Sequence, residues 1–132
     1  YQGFWNWASF STRLSDGRTL GVNFGAGWTD NTGSTENALC MDGRLIKLSE
    51  DVIFTYSTQD FKAPWKIQTA ETKRVDLTFT PFFERIAKTD MAIIRSEVHQ
   101  MIGHFDGTIS EGGEVVQVSQ AVGWAEDHHA RW

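Results

Sequence analysis

Cysteine is almost missing from this chain. Cys40 is the only one among 132 residues, so no intrachain disulfide can form. That excludes a secreted disulfide scaffold and fits a reducing compartment such as the cytoplasm. No apolar run approaches the roughly 18 to 20 residues that a membrane-spanning helix needs, and the first residues lack the order of a signal peptide. The chain opens on Tyr1 without a methionine, which reads as the start of a fragment or processed product, so targeting information is not expected at this end. Basic charge is scarce and scattered: twelve Lys and Arg against seventeen Asp and Glu give a net charge of -5. Without a basic stripe to neutralise phosphates, a nucleic-acid partner is excluded. No long helical period, internal repeat or low-complexity tract occurs. Neither a Gly-Lys-Ser/Thr phosphate loop nor a Gly-x-Ser-x-Gly nucleophile elbow is present.

Aromatic residues are what the chain does have. Six Trp and nine Phe are many for this length, and rings carry the largest burial energy per side chain. One domain over residues 1–132 is expected, since the length suits one core and not two. Turn signals recur at Ser15-Asp16-Gly17-Arg18, Asp42-Gly43-Arg44, Asp106-Gly107 and Gly112-Gly113. Asp-Gly between apolar runs marks a hairpin, because the primed turns need the positive φ that glycine adopts without strain. The runs between them read as strands at 4–14, 19–24, 38–41, 45–48, 52–57, 65–69, 75–80, 91–104 and 115–119. Val75, Leu77 and Phe79 alternate with Asp76, Thr78 and Thr80, the period of a half-buried strand. The segment 82–88, behind Pro81, reads as a connection. About nine short strands without a long helix predict an all-β antiparallel fold, a barrel, a strongly curved sheet or a sandwich.

Four stretches could carry chemistry. In Trp5-Asn6-Trp7 the period of two sends both indoles to one face and Asn6 to the other, where it is either a satisfied core amide or the polar group of a ligand pocket. The polar loop 25–37 sets Trp28 beside Asp30, Glu36 and Asn37, an acid and a base among hydroxyls and amides; it reads equally as a loop closed by its own Asx and Ser/Thr turns. On the strand from Met91, Glu97 and His99 share a face and can form a proton-transfer pair or a cross-strand salt bridge. In 123–132, Trp124, Glu126 and His128 share a face if extended. Either they line a site or the segment plugs one end of the barrel. Only Glu126, His128, His129 and His99 together would offer zinc enough ligands, and no metal is expected. Cys40 reads as a small buried hydrophobe.

Six blocks in order also carry a resemblance: Trp5-Asn6-Trp7, residues 27–30, 35–38, 76–83, 95–100 and 123–132. Together they resemble the C-terminal domain of the domain-of-unknown-function 2804 family, which is distantly similar to two-domain lipocalin-like proteins of the AttH-like and carotenoid 1,2-hydratase-like groups. In those groups a Trp-Asp-Trp-Phe motif opens the second domain, and here Trp5-Asn6-Trp7-Ala8 stands in its place. Asn cannot protonate an alkene, so a hydrogen-bonding role is implied for Asn6. The resemblance implies that this chain is an antiparallel lipocalin-like (calycin-like) barrel or strongly curved sheet, with a missing N-terminal lipocalin-like domain and an apolar, isoprenoid- or lipid-like small molecule as partner. Three functions follow as expectations. The first is cofactor-free hydratase, lyase or isomerase chemistry by Glu97 and His99 or by Asp30 and Glu36. The second is ligand binding alone, with walls from Trp5, Trp7, Trp28 and Trp124 and polar contacts from Asn6, Asn37 and His128. The third is an interdomain or dimerisation domain that forms a homodimer through an exposed aromatic face.

Overall fold

A computed structural model describes residues 2–27, 35–91 and 94–131. Nine antiparallel strands among these residues build one sheet: β1 Gln2–Arg13, β2 Thr19–Ala26, β3 Ala38–Met41, β4 Arg44–Lys47, β5 Val52–Thr55, β6 Trp65–Thr69, β7 Val75–Met91, β8 Ile94–Glu111 and β9 Glu114–Arg131. Their order is β4-β3-β2-β1-β9-β8-β7-β6-β5, so the first and last strands pair in the middle of the sheet and β4 and β5 are its edges. The sheet coils until β5 packs near β2, but the two edges are not joined and the barrel stays open. The expected all-β curved sheet is what forms.

Turn chemistry explains most connections. Asp42 and Gly43 have φ of 50° and 85°, and Gly112 and Gly113 have 58° and 79°, the double positive values of a type I′ hairpin. The expected turn at Asp106-Gly107 is a correction. The strand runs through it, and the register shifts between Phe105 and Gly107 as a bulge. Gly at positive φ serves a bulge as well as it serves a turn, so the dipeptide alone cannot separate them. The segment 82–88 is also corrected, from connection to strand: β7 continues to Met91, paired with β8 throughout. Pro81 is tolerated because β6 pairs only with Asp76–Phe79, leaving the outer edge of β7 free of ladder bonds beyond that point. Met91 therefore ends β7 instead of starting β8. Cys40 is exposed, because β3 turns Leu39 and Met41 inward and the residue between them out.

Aromatic rings form a continuous spine through the core. Phe10 packs on Phe105 at 4.8 Å, Phe105 on Phe79 at 4.6 Å, Phe79 edge-on to Trp65 at 6.0 Å, and Trp65 stacks on Tyr56 at 4.0 Å. Each buried ring contributes roughly 1.5 to 3 kcal/mol. The core thins along the long strands, where Met101 and Ala125 are its last buried apolar residues on β8 and β9. Gly103 and Gly123 face each other across β8 and β9, between Pro81 and Phe10. A Cβ on Gly103 would lie 2.7 Å from the Pro81 Cα, and one on Gly123 would lie 2.6 Å from the Phe10 Cβ, so only glycine allows this close approach. Past this glycine pair the outer parts of β7, β8 and β9 run on as arms with the start of β1.

Candidate functional site

Period-two alternation lays residues across the concave face of these arms in rows. Asn6 pairs with Asp127, Asp127 with His99 and His99 with Ile86; the next row outward is Phe4, His129, Glu97 and Lys88. Asp127 is completely buried. Tyr56, just past β5, donates its hydroxyl proton to Asp127 Oδ2 at 2.5 Å and accepts from Asn6 Nδ2 at 2.8 Å. Asn6 Nδ2 also reaches the Glu126 carbonyl at 3.1 Å. Burial, and then the Asp127 carboxylate, push the Tyr56 hydroxyl above its ordinary pKa against the pull of the Asn6 amide. His129 Nε2 lies 2.9 Å from Asp127 Oδ1, close enough for an ion pair but not aligned as a hydrogen bond, so this buried oxygen has no donor.

His99 stands on the neighbouring strand. Its Nε2 meets Glu97 Oε1 at 3.0 Å, while Nδ1 is buried, 3.5 Å from Glu84 Oε2 and without a hydrogen bond. Phe61 stacks on the imidazole at 4.0 Å and 18°. The loop carrying Phe61 is wound by its own polar residues: Ser57 Oγ accepts from the Gln59 and Asp60 amides, Asp60 Oδ1 from that of Lys62, and the Phe61 carbonyl accepts from Trp65 Nε1 at 2.9 Å. Hydrogen bonding to His99, and then the Lys88 ammonium at 3.4 Å, holds the Glu97 carboxyl below the usual range. Asp127 and His99 are direct cross-strand neighbours, whose Cβ atoms sit roughly 4.5 to 5.5 Å apart. Two sets of titratable groups, one a phenol on a carboxylate and the other an imidazole between carboxylates, thus share one aromatic-capped surface.

The convex face of the same strands carries a second cluster. Trp5 stacks on His128 at 4.8 Å and 14°, and Trp7 meets Trp124 edge-on at 5.5 Å. Glu126 accepts from Gln100 Nε2 at 2.7 Å and lies 2.5 Å from His128 Nε2. Burial works against its charge, but the His128 and Gln100 bonds outweigh that and hold the carboxyl below the ordinary range. Trp7 Nε1 donates to Asn23 Oδ1 at 2.7 Å.

A family model matches the whole of this chain, residues 1–132. The chain belongs to the family described as Domain of unknown function (DUF2804). No curated protein and no solved structure matches it.

For this family member the structure divides the expected site residues. Asn6, Glu97 and His99 come together on the concave face. Trp5, Trp7, Trp124 and His128 gather on the convex face. Asn37 is a buried clip, accepting from the Gly25 amide at 2.8 Å and donating to the Glu50 carbonyl at 3.1 Å, so it ties the entries of β3 and β5 to β2. Glu36 is exposed, its carboxyl lying over Gly25. Trp28 and Asp30 fall outside the described residues. The four zinc candidates divide in the same way, Glu126 and His128 convex, His99 and His129 concave, and no group of three or more metal-ligating side chains forms among the described residues.

Sequence reasoning missed Asp127, Tyr56, Phe61 and Glu84. Asp127 was within reach: once Trp124, Glu126 and His128 are put on one face, the residue between Glu126 and His128 must face the other way, opposite Asn6. No sequence signal marks Tyr56 or Phe61, which arrive across the open barrel from the β5–β6 connection.

Proposed function

We propose that the concave face holds an apolar, lipid- or isoprenoid-like small molecule and exchanges protons with it, in the manner of a hydratase, lyase or isomerase. The reading is carried by one observation: a fully buried carboxylate, Asp127, bonded to a tyrosine hydroxyl and set beside a histidine that is itself flanked by two carboxylates. Buried ionisable groups are costly to keep, and their convergence beside an aromatic cluster supports acid–base chemistry. Tyr56 supplies the proton held on Oη. His99 Nδ1, unbonded, is the group free to take or give one, and Asn6 orients the phenol. Asp127 takes the place of an acid beside Asn6, one strand across from where the Trp-Asp-Trp-Phe motif would have put it. The proposal includes a lipocalin-like domain acting as the second half of a longer two-domain protein.

Native mass spectrometry of protein purified without organic solvent tests the binding step. A reproducible small-molecule adduct is expected, and a clean apo spectrum would count against it. For the proton step, the recovered molecule is incubated with protein in D2O. The wild type should introduce deuterium at carbon, and Asp127→Asn and His99→Gln should slow this at least about a hundredfold. Equal incorporation by both variants leaves binding without chemistry.

A second reading, an interaction domain, has its own observation. Phe82, Phe83, Ile86, Met91 and Ile94 on the arms are each about half exposed or more, and large exposed apolar side chains mark interaction surfaces where they cluster.

A further inference from the structure

At the outer end of the concave face lies an open trough of about 600 Å³, lined among others by Phe4, Lys88, Arg95, Glu97, His129 and Arg131. Arg95 and Arg131 are direct cross-strand partners on β8 and β9. Both share the concave face with Glu97 and His129, two residues further in on the same strands. Like charges set directly opposite each other destabilise a sheet. Nothing in the overall charge explains their meeting here, since the chain carries a net -5.

The neighbouring acids meet only part of this charge. Asp90 pairs with Arg95 through Nε at 3.1 Å, and among the described residues no acid meets the terminal amino groups of that guanidinium. Glu97 is shared between Lys88 and His99. Among the described residues no acid pairs with Arg131. Two planar guanidinium forks, with His129 and Lys88 behind them, form a receptor for a planar or tetrahedral oxyanion. Phe4, 46% exposed, and Ile86, 49% exposed, continue from there as apolar surface toward His99 and Asp127.

We infer that this trough seats the anionic head group, a carboxylate or a phosphate, of an amphiphilic molecule whose chain runs inward to Tyr56, Asp127 and His99. The inference rests on the reading of the concave face as a small-molecule site and adds the ligand's polar end. Strand geometry adds a length. Arg95 and His99 are four residues apart on β8, about 13 Å at a rise of roughly 3.3 Å per residue. The molecule is therefore charged at one end and exchanges its proton about that far along its chain.

Calorimetric titration with decanoate, decyl phosphate and decanol tests this at low ionic strength, with circular dichroism confirming that each variant is folded. Decanoate or decyl phosphate should bind the wild type, and the tighter of the two identifies the head group. Arg95→Gln and Arg131→Gln should each weaken that binding about tenfold, the loss of one charge-assisted contact, and leave decanol unchanged. If decanol binds as tightly as the anions, or the arginine variants bind the anions like wild type, the head-group assignment is wrong while the apolar site stands. If none of the three binds, both readings fall.

Discussion

The same three strands behave differently on the two sides of the Gly103–Gly123 pair. On the closed side, Val75, Leu77, Phe79, Phe105 and Ile109 are completely buried. On the arm side of β7, Phe82, Phe83, Ile86 and Met91 are 55%, 54%, 49% and 61% exposed. Apolar content does not separate the two regions, since both carry rings and aliphatic groups. What differs is the face the side chains occupy. On the closed side they point into the core, whereas Phe82 meets His104, Phe83 pairs with Ile102 and Met91 with Ile94 on the convex face, and only Ile86, opposite His99, lies on the concave one. Burial belongs to a pair of surfaces, not to a strand. Stability is therefore concentrated in the closed end, and the ionisable groups of the candidate site stand where that packing gives out.

The largest expected effect breaks the closed end. Phe79→Ala, which removes a ring touching both Trp65 and Phe105, should cost about 3 to 5 kcal/mol in urea unfolding. A loss below about 1 kcal/mol would show that the aromatic spine is not the principal support. The next effect tests the seam between the regions. Tyr56→Phe leaves Asp127 Oδ2 buried without its donor and should cost about 1 to 3 kcal/mol. Asn6→Ala should cost less, because the tyrosine–carboxylate bond survives it.

How far the sequence reveals this comparison depends on the element. Hairpins at Asp42-Gly43 and Gly112-Gly113 follow from local backbone chemistry, and the alternation of β7 gives the inward face of Val75, Leu77 and Phe79. Alternation also separates Trp5 and Trp7 from Asn6. The arm of β7 was not legible, because Glu84, Arg85, Lys88 and Asp90 dilute the apolar pattern and Pro81 signals a break that an edge strand does not obey. Glu97 and His99 were found because they lie two residues apart on one strand. Their neighbours Tyr56 and Phe61 were not, because contact across an open barrel leaves no trace in local spacing. Asp127 lies between these cases: its face follows from the period, but its burial requires Tyr56 to be overhead.

A smaller effect appears in acid. The Glu126 carboxyl is held below its ordinary pKa in the folded arm, so its contribution is present above the unfolded value and lost as pH falls through the folded one. Wild-type stability should decline between roughly pH 5 and pH 3 more steeply than that of Glu126→Gln, which keeps a neutral group beside His128 and Gln100. Urea midpoints across that range measure it. Parallel slopes would mean that the convex cluster does not couple protonation to folding.

The smallest expected effect completes the contrast. Phe82 lies on the arm at 55% exposure, near His104 at 5.0 Å but with no opposing wall. Phe82→Ala should change stability by no more than about 0.5 kcal/mol, although the same ring is removed from the same strand as in Phe79→Ala, three residues away. The two variants differ in the face the ring occupies, Phe79 turned into the core against Phe105 and Phe82 turned outward beside His104. If Phe82→Ala instead lowers the urea midpoint by as much as Phe79→Ala, the arm is covered in solution, and the exposed apolar surface belongs to an interface and not to the rim of a site.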